Sequence, residues 1–193
     1  LVSVVVRTHK RKEVLRRTLK SLENQLYKNF EVVIVEDGEN TAENMVKSDF
    51  PSLNINYFAT GENVGRGRAG NIGIERAKGK YVCFLDDDEL EENPEAGFAV
   101  SGGMAYETEI LNTDPYEFTV NKIYPISFSH ITLMDMCVKC RIPMCCGMFR
   151  RELYDTVGGM REDIGGDEDW AMWLKFLSVS KRTDIAKPDI PKA

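Results

Sequence analysis

Four short apolar runs, VSVVVRT (2–8), EVVIVEDG (31–38), NINYF (54–58) and KYVCFL (80–85), punctuate the first half of the chain, and what lies between them follows a different period. Val- and Ile-rich runs of this length predict buried strands. After the first, Leu15, Leu19, Leu22 and Leu26 recur at the spacing of one helical face, predicting a helix over 11–26. A short helix is predicted over 41–48, with Pro51 ending it, and another over 67–78 that turns Ala69, Ile72, Gly73 and Ala77 inward. Such repeated strand–helix alternation leaves little choice, because parallel strands need crossovers and the crossover helices cover both faces. The fold class is therefore α/β, a Rossmann-like, mostly parallel sheet. Beyond Pro94 the regular interludes stop. AGFAVSGGMAY and FTVNKIYPISFSHITLM predict strands joined by turns, and FRRELYDTVGG a short helix closed by glycines. DEDWAMWLKFLSV (167–179) predicts a helix with acids in its first turn, where the dipole favours them.

In a parallel sheet, ligands bind outside the carboxyl ends of the strands. Thr8, Glu36-Asp37 and Asp86-Asp87-Asp88 all fall there, so one sheet edge collects them. Three adjacent carboxylates after a buried strand repel one another, and each resists ionisation while the others stay charged. A cation is expected among them. Asp-x-Asp suits a hard divalent ion such as Mg2+ or Mn2+, which takes one or two carboxylates and completes its shell with phosphate oxygens. Asp37 is placed to accept a hydrogen bond from a base or ribose hydroxyl, although Asp-Gly is also a turn signal in its own right. In GGDEDW (165–170), helix capping accounts for Asp167 but not for Glu168 and Asp169, which are candidates for a general base. GRGRAG (65–70) matches G-x-G-x-x-G, with Asp86 about twenty residues on. In a dinucleotide fingerprint, though, the first glycine follows its strand directly, whereas ATGENV intervenes here.

A net charge of −6 argues against a nucleic-acid binder. The basic stretch RTHKRKEVLRR (7–17) reads first as a solvated helix face and second as a local anion or membrane-surface patch. LVSVVV is too short for a signal peptide and no apolar run approaches a membrane span. Five cysteines, four of them crowded into 137–146, fit a reduced, cytoplasmic setting. Zinc is disfavoured there, because adjacent Cys145-Cys146 fits a tetrahedral site poorly and Met144, Met148 and Phe149 suggest core. His130 is expected to be a core or loop histidine.

Taken together, the motifs resemble family 2 glycosyltransferases of the GT-A fold. VSVVVRTHKRKEVLRRTLKSLENQLYKNFEVVIVEDG is similar to that family's opening strand, Thr, Leu-x-x-Leu…Gln helix and acidic second strand end. NVGRGRAGNIGIERAKGKYVCFLDDDE resembles its Asn-x-Gly…Asn-x-Gly-Ile…Phe-Leu-Asp-x-Asp stretch, and GMFRRELYDTVGGM…GGDEDWAMWLKF its closing block. The resemblance implies inverting, metal-dependent transfer of a sugar, from a UDP-sugar first among donors, to a hydroxyl of a carbohydrate or lipid-linked acceptor in glycan or polysaccharide synthesis. It implies a nucleotide-sugar-binding half over 1–94 and an acceptor and base half over 95–193 of one domain. Thr8 and Asp37 would hold base and ribose, with Arg68, Asn71, Asp86 and Asp87 also at the nucleotide. Asp88, aided by Asp86, would ligate Mn2+ or Mg2+, and Asp169, or else Glu168, would be the base. A cytoplasmic enzyme of this kind could touch the inner membrane face through the basic stretch. Where the family has Ala-Arg-Asn, this chain has Ala69-Gly70-Asn71, with Arg68 two positions earlier, and Gln-x-x-Arg-Trp, the mark of processive members, is absent. The rival readings are an Mg-dependent phosphohydrolase, a sugar nucleotidyltransferase and a non-catalytic nucleotide-binding module.

Overall fold

The structure is a computed structural model, and it describes all residues except 26, 88–97, 101–102, 114–115, 127–132, 141, 180–184 and 187–193. The first half alternates as its apolar runs require: β1 (Val2–Thr8), α1 (Lys12–Glu23), β2 (Phe30–Glu36), α2 (Glu43–Asp49), β3 (Ile55–Ala59), α3 (Arg66–Arg76) and β4 (Tyr81–Phe84). There follow β5 (Phe98–Val100), β6 (Gly103–Thr113), β7 (Tyr116–Ile126), α4 (Leu133–Val138), β8 (Gly147–Arg150), α5 (Arg151–Val157), α6 (Glu168–Val179) and β9 (Ile185–Ala186). One sheet runs β3-β2-β1-β4-β8-β5-β9, and β6 pairs with β7 as a separate antiparallel ribbon. Strands β1 to β4 are mutually parallel, with Val2 opposite both Phe30 and Tyr81. β8 then runs antiparallel to both β4 and β5. No helix among the described residues is long and apolar enough to cross a membrane.

Strand pleating sorts the apolar runs onto two faces. Val4, Val6, Val32 and Ile34 pack with Leu15, Leu19 and Leu22 of α1 and with Met45 and Val46 of α2. Val5 and Val33 meet the other layer, where Ile74 of α3 and Met172, Trp173 and Phe176 of α6 lie. The predicted face of α1 is thus buried through Leu22, while Leu26 lies outside the described residues.

Two expectations shift. Phe149 and Arg150, predicted to open a helix, belong to β8, where Met148 and Phe149 pair with Cys83 and Val82. Leu133 and Met134, predicted as strand, begin α4. Two of the three GRGRAG glycines serve packing, while Gly65 takes φ +87° with open space beside it. A Cβ on Gly67 would stand 2.5 Å from the Arg161 carbonyl oxygen, and one on Gly70 would stand 2.7 Å from Met160 Sδ. Gly73, one turn further on, lets α3 settle on the sheet, since a Cβ there would come within 2.3 Å of Val5 Cγ1. Val5 is itself wholly buried and cannot move aside cheaply. Gly73→Ala is expected to destabilise the fold by about 1–3 kcal/mol, read as a lower denaturation midpoint in urea. An unchanged midpoint would mean that α3 lies farther from β1 than described.

Candidate active site

Because β1, β2 and β4 are parallel, Thr8, Asp37 and Asp86-Asp87 meet at one edge, and the first turns of α3 and α6 close over it. The acids divide into two kinds, those that brace the frame and those that line the opening.

Asp87 is a brace. Its side chain is wholly buried, accepting from Thr8 Oγ1 at 2.6 Å and from Arg11 Nε at 3.1 Å, while its carbonyl oxygen accepts from the Thr18 hydroxyl. Thr8 and Asp87, both expected at the nucleotide, have side chains bonded to each other, and Asp87 also to Arg11 at the entry to α1. Asp37 accepts from the Val64 and Gly65 amides at 2.7 and 3.1 Å, fixing the loop that enters α3. Beside it, Glu36 receives the Thr41 and Ala42 amides at 2.9 and 3.2 Å and holds the start of α2. Asn71 is fully engaged: Nδ2 donates to the Met160 carbonyl and to Glu162, and Oδ1 accepts from the Tyr154 hydroxyl and the Met160 amide. Arg68 turns toward Glu162 and Glu75 at 3.4 and 3.5 Å, away from Asp86. Arg68 and Asn71, which the resemblance places at the nucleotide, are both engaged by the 160–162 segment lying against this side of α3.

Asp86 does line the opening, with 19% of its side chain exposed. Arg7 grips it with Nε at 3.0 Å from Oδ1 and Nη2 at 2.9 and 3.0 Å from the two oxygens, and Arg66 Nη2 approaches at 3.4 Å. Arg7 also donates to Glu168 at 3.0 Å, and Arg66 Nε lies 3.3 Å from the same oxygen. Burial works against the Arg7 charge, but Asp86 and Glu168 outweigh it and hold its pKa above the ordinary value. The cation that the triple Asp demanded is thus supplied in part by the chain: guanidinium groups neutralise Asp86 and Asp87. Arg7 and Arg66 are residues of the candidate site that the sequence motifs do not single out. The signal for Arg7 was a lone arginine inside a buried valine strand, a residue seldom buried without a carboxylate partner.

Glu168 and Asp169 open α6 and differ sharply. Glu168 is 1% exposed beneath both arginines. Asp169 is half-buried and, among the described residues, accepts from its neighbour's amide, Trp170 N, at 2.7 Å. Burial raises its pKa. The Trp170 hydrogen bond opposes that, Glu168 adds to it, and Arg66 and Arg7 pull it down, leaving it above the ordinary aspartate value. A groove of about 380 Å³ opens between Val64–Gly67 and the Glu162–Gly166 loop.

Asp88 lies outside the described residues, and among those described no cluster of three His, Cys, Asp or Glu is placed to hold a metal. Asp86, partly exposed and at the sheet edge, fits the one-carboxylate contribution that a magnesium-like ion takes beside a diphosphate. His130 also lies outside the described residues.

Residues 3–158 match the family profile described as Glycosyl transferase family 2. The chain belongs to glycosyl transferase family 2. Its relatives include an uncharacterized glycosyltransferase of Haemophilus influenzae, 26% identical over 92% of this chain and 62% of the relative. Another, of Rickettsia bellii, is 36% identical over 96% of this chain and 28% of its own length. The chain therefore spans about three-fifths and under a third, respectively, of these relatives. Among solved structures, S. aureus TarS in complex with UDP-GlcNAc superposes with a TM-score of 0.69 at 18% identity, over 99% of this chain and 59% of that one. The mannosyltransferase PcManGT of Pyrobaculum calidifontis, with GDP-Man and Mn2+, gives 0.63 at 18% identity, over 99% and 57%. The fold of this family 2 chain is accordingly GT-A, and the phosphohydrolase and nucleotidyltransferase readings lapse.

Proposed function

We propose that this chain transfers a sugar from a nucleoside-diphosphate sugar, a UDP-sugar first among them, to a hydroxyl of a carbohydrate or lipid-linked acceptor, with inversion at the anomeric carbon. The observation that carries the reading is the contrast at the start of α6: Glu168 is buried and neutralised, while Asp169 is half-buried, without an ion pair among the described residues, and raised in pKa. That is the condition of a general base. Asp169 would take the proton of the acceptor hydroxyl as its oxygen attacks the anomeric carbon opposite the departing diphosphate. Asp86 would meet the donor ribose or water on a metal, and Asp37, through the Val64–Gly65 turn, would shape the nucleotide side. Asp88, with Asp86, would hold Mn2+ or Mg2+, which when bound supplies positive charge to the leaving diphosphate. The Mn2+ and GDP-Man of the mannosyltransferase and the UDP-GlcNAc of TarS support the metal and the donor class.

Calorimetric titration with UDP, GDP, CDP and NAD, each with and without Mn2+, tests this reading. One nucleoside diphosphate is expected to bind, and only with metal, and Asp88→Asn is expected to remove that binding. Metal-independent NAD binding would overturn the proposal.

The pH dependence follows from the sign of the Asp169 shift. The base must be ionised, so turnover is lost as pH falls through its pKa, about tenfold per unit below it. Because that pKa is raised, the acid limb is expected above the ordinary aspartate value of about 3.9. A pH–rate profile checks this, and a limb at or below the ordinary value would remove Asp169 from the role.

A further inference from the structure

Four side chains from distant parts of the chain close into a ring of alternating charge at the sheet edge. Arg7 joins Asp86 to Glu168 on one side, and Arg66 joins the same two acids on the other. The two sides are unequal. Arg7 is 6% exposed, with contacts of 2.9–3.0 Å to both acids, and its guanidinium stands 5.3 Å from the centre of the Phe84 ring. Arg66 is 65% exposed and its contacts are 3.3–3.4 Å. Arg7 is the fixed member.

The chain entering α6 is built the other way. Gly165 and Gly166 precede it, Gly166 has φ +111°, and Asp167 takes φ +58°, an unusual value for a residue with a side chain. Two glycines provide no side chains to lock the approach, and their backbone has many alternatives. What ties the first residue of α6 to the strand ends is the bond from Arg7 to Glu168 at 3.0 Å. Asp169 is the next residue.

We infer that Arg7 and Glu168 are positioning residues, a buried strut from the end of β1 to the first turn of α6 that holds the Asp169 carboxylate in place relative to Asp86. The inference rests on the transferase reading above and assigns Glu168 a part other than base. Its Oε1 already accepts from Arg7 and lies against Arg66, and its burial leaves an acceptor hydroxyl no approach.

The test compares Glu168→Gln, Glu168→Ala and Arg7→Lys with the unchanged chain, taking kcat, donor KM and calorimetric donor affinity with Mn2+. The calorimetric stoichiometry counts the folded, donor-binding molecules, and kcat is expressed per such molecule. Glu168→Gln keeps an oxygen to accept from Arg7 and is expected to retain most of kcat. Glu168→Ala is expected to lose about 100-fold in kcat with donor affinity unchanged, the cost of a base displaced by about an ångström. Lysine cannot grip two acids as a planar fork does, so Arg7→Lys is expected to lower kcat too and, because Arg7 also grips Asp86, to weaken donor affinity, which Glu168→Ala leaves unchanged. If Glu168→Gln is as inactive as Asp169→Asn, Glu168 is a base and the strut falls. If Glu168→Ala keeps its kcat, or loses it only through fewer donor-binding molecules, the strut is not a positioning device. Failure of the unchanged chain to transfer sugar from any nucleotide sugar, seen before any variant is compared, would overturn the transferase reading instead.

Discussion

Asp169→Asn is expected to bind its nucleoside diphosphate as the unchanged chain does and to transfer almost no sugar. Asparagine keeps an oxygen for the Trp170 amide, which now lies 2.7 Å from Asp169 Oδ1, so the first turn of α6 is preserved. What disappears is the capacity to accept a proton. Loss of a positioned general base costs about 100- to 10,000-fold in turnover. Donor affinity is expected to hold because Asp169 stands on α6 and not on the strand ends that carry Asp37 and Asp86. Steady-state transfer together with calorimetry of the same preparation reads both halves of the prediction. Full turnover by the variant would take the base away from Asp169, and lost donor affinity would place Asp169 on the donor.

The second large effect is on stability. Trp173 is wholly buried, with ring centres 6.1 Å from Phe149 and 5.8 Å from Phe176, and its Nε1 donates to the Ile142 carbonyl at 3.0 Å. Its ring rests directly on Gly147 of β8, where an added Cβ would lie 2.5 Å from Cη2. Trp173→Ala would leave a large cavity between α6 and the sheet and strip the Ile142 carbonyl of that donor. The expected cost is about 3–5 kcal/mol. For a chain of this size that corresponds to a fall of roughly 10 °C in Tm. A thermal scan decides it. A Tm within a degree or so of the original would mean that α6 is seated on the sheet by other contacts.

The strands of the first half were readable because both their faces are covered, so β1 and β2 appear as unbroken apolar runs. β8 was not, because four residues are too few to show a period and the strand owes its existence to Cys83 and Val82, far earlier in the chain. The site shows the same division. Strand ends announce themselves, so Asp37 and Asp86 were placed at the edge correctly. Charge compensation does not, since Arg7 and Asp86 are 79 positions apart and only the parallel pairing of β1 with β4 brings them together. The hydrogen bonds of Asn71 are equally hidden in the sequence, since its partners Tyr154 and Met160 lie 83 and 89 positions further along the chain. Glu168 and Asp169 are adjacent and chemically alike. Only the arginines packed over Glu168 separate an ion-paired acid from one that has no such pair among the described residues.

The insertion of β8 between β4 and β5 also sets an order of events at synthesis. Strands β1 to β4 and their crossover helices can associate as they emerge, since each pairs with a neighbour already made. The outer edge of β4 then has no strand beside it until residues 147–150 leave the ribosome. At about 5–20 residues per second, roughly sixty residues of delay amount to some 3–12 seconds. An apolar strand edge left unpaired for that long is a template for the wrong partner. The nascent chain is therefore most vulnerable to aggregation after strands β1 to β4 have formed and before β8 arrives, and that interval is where a chaperone would have most effect.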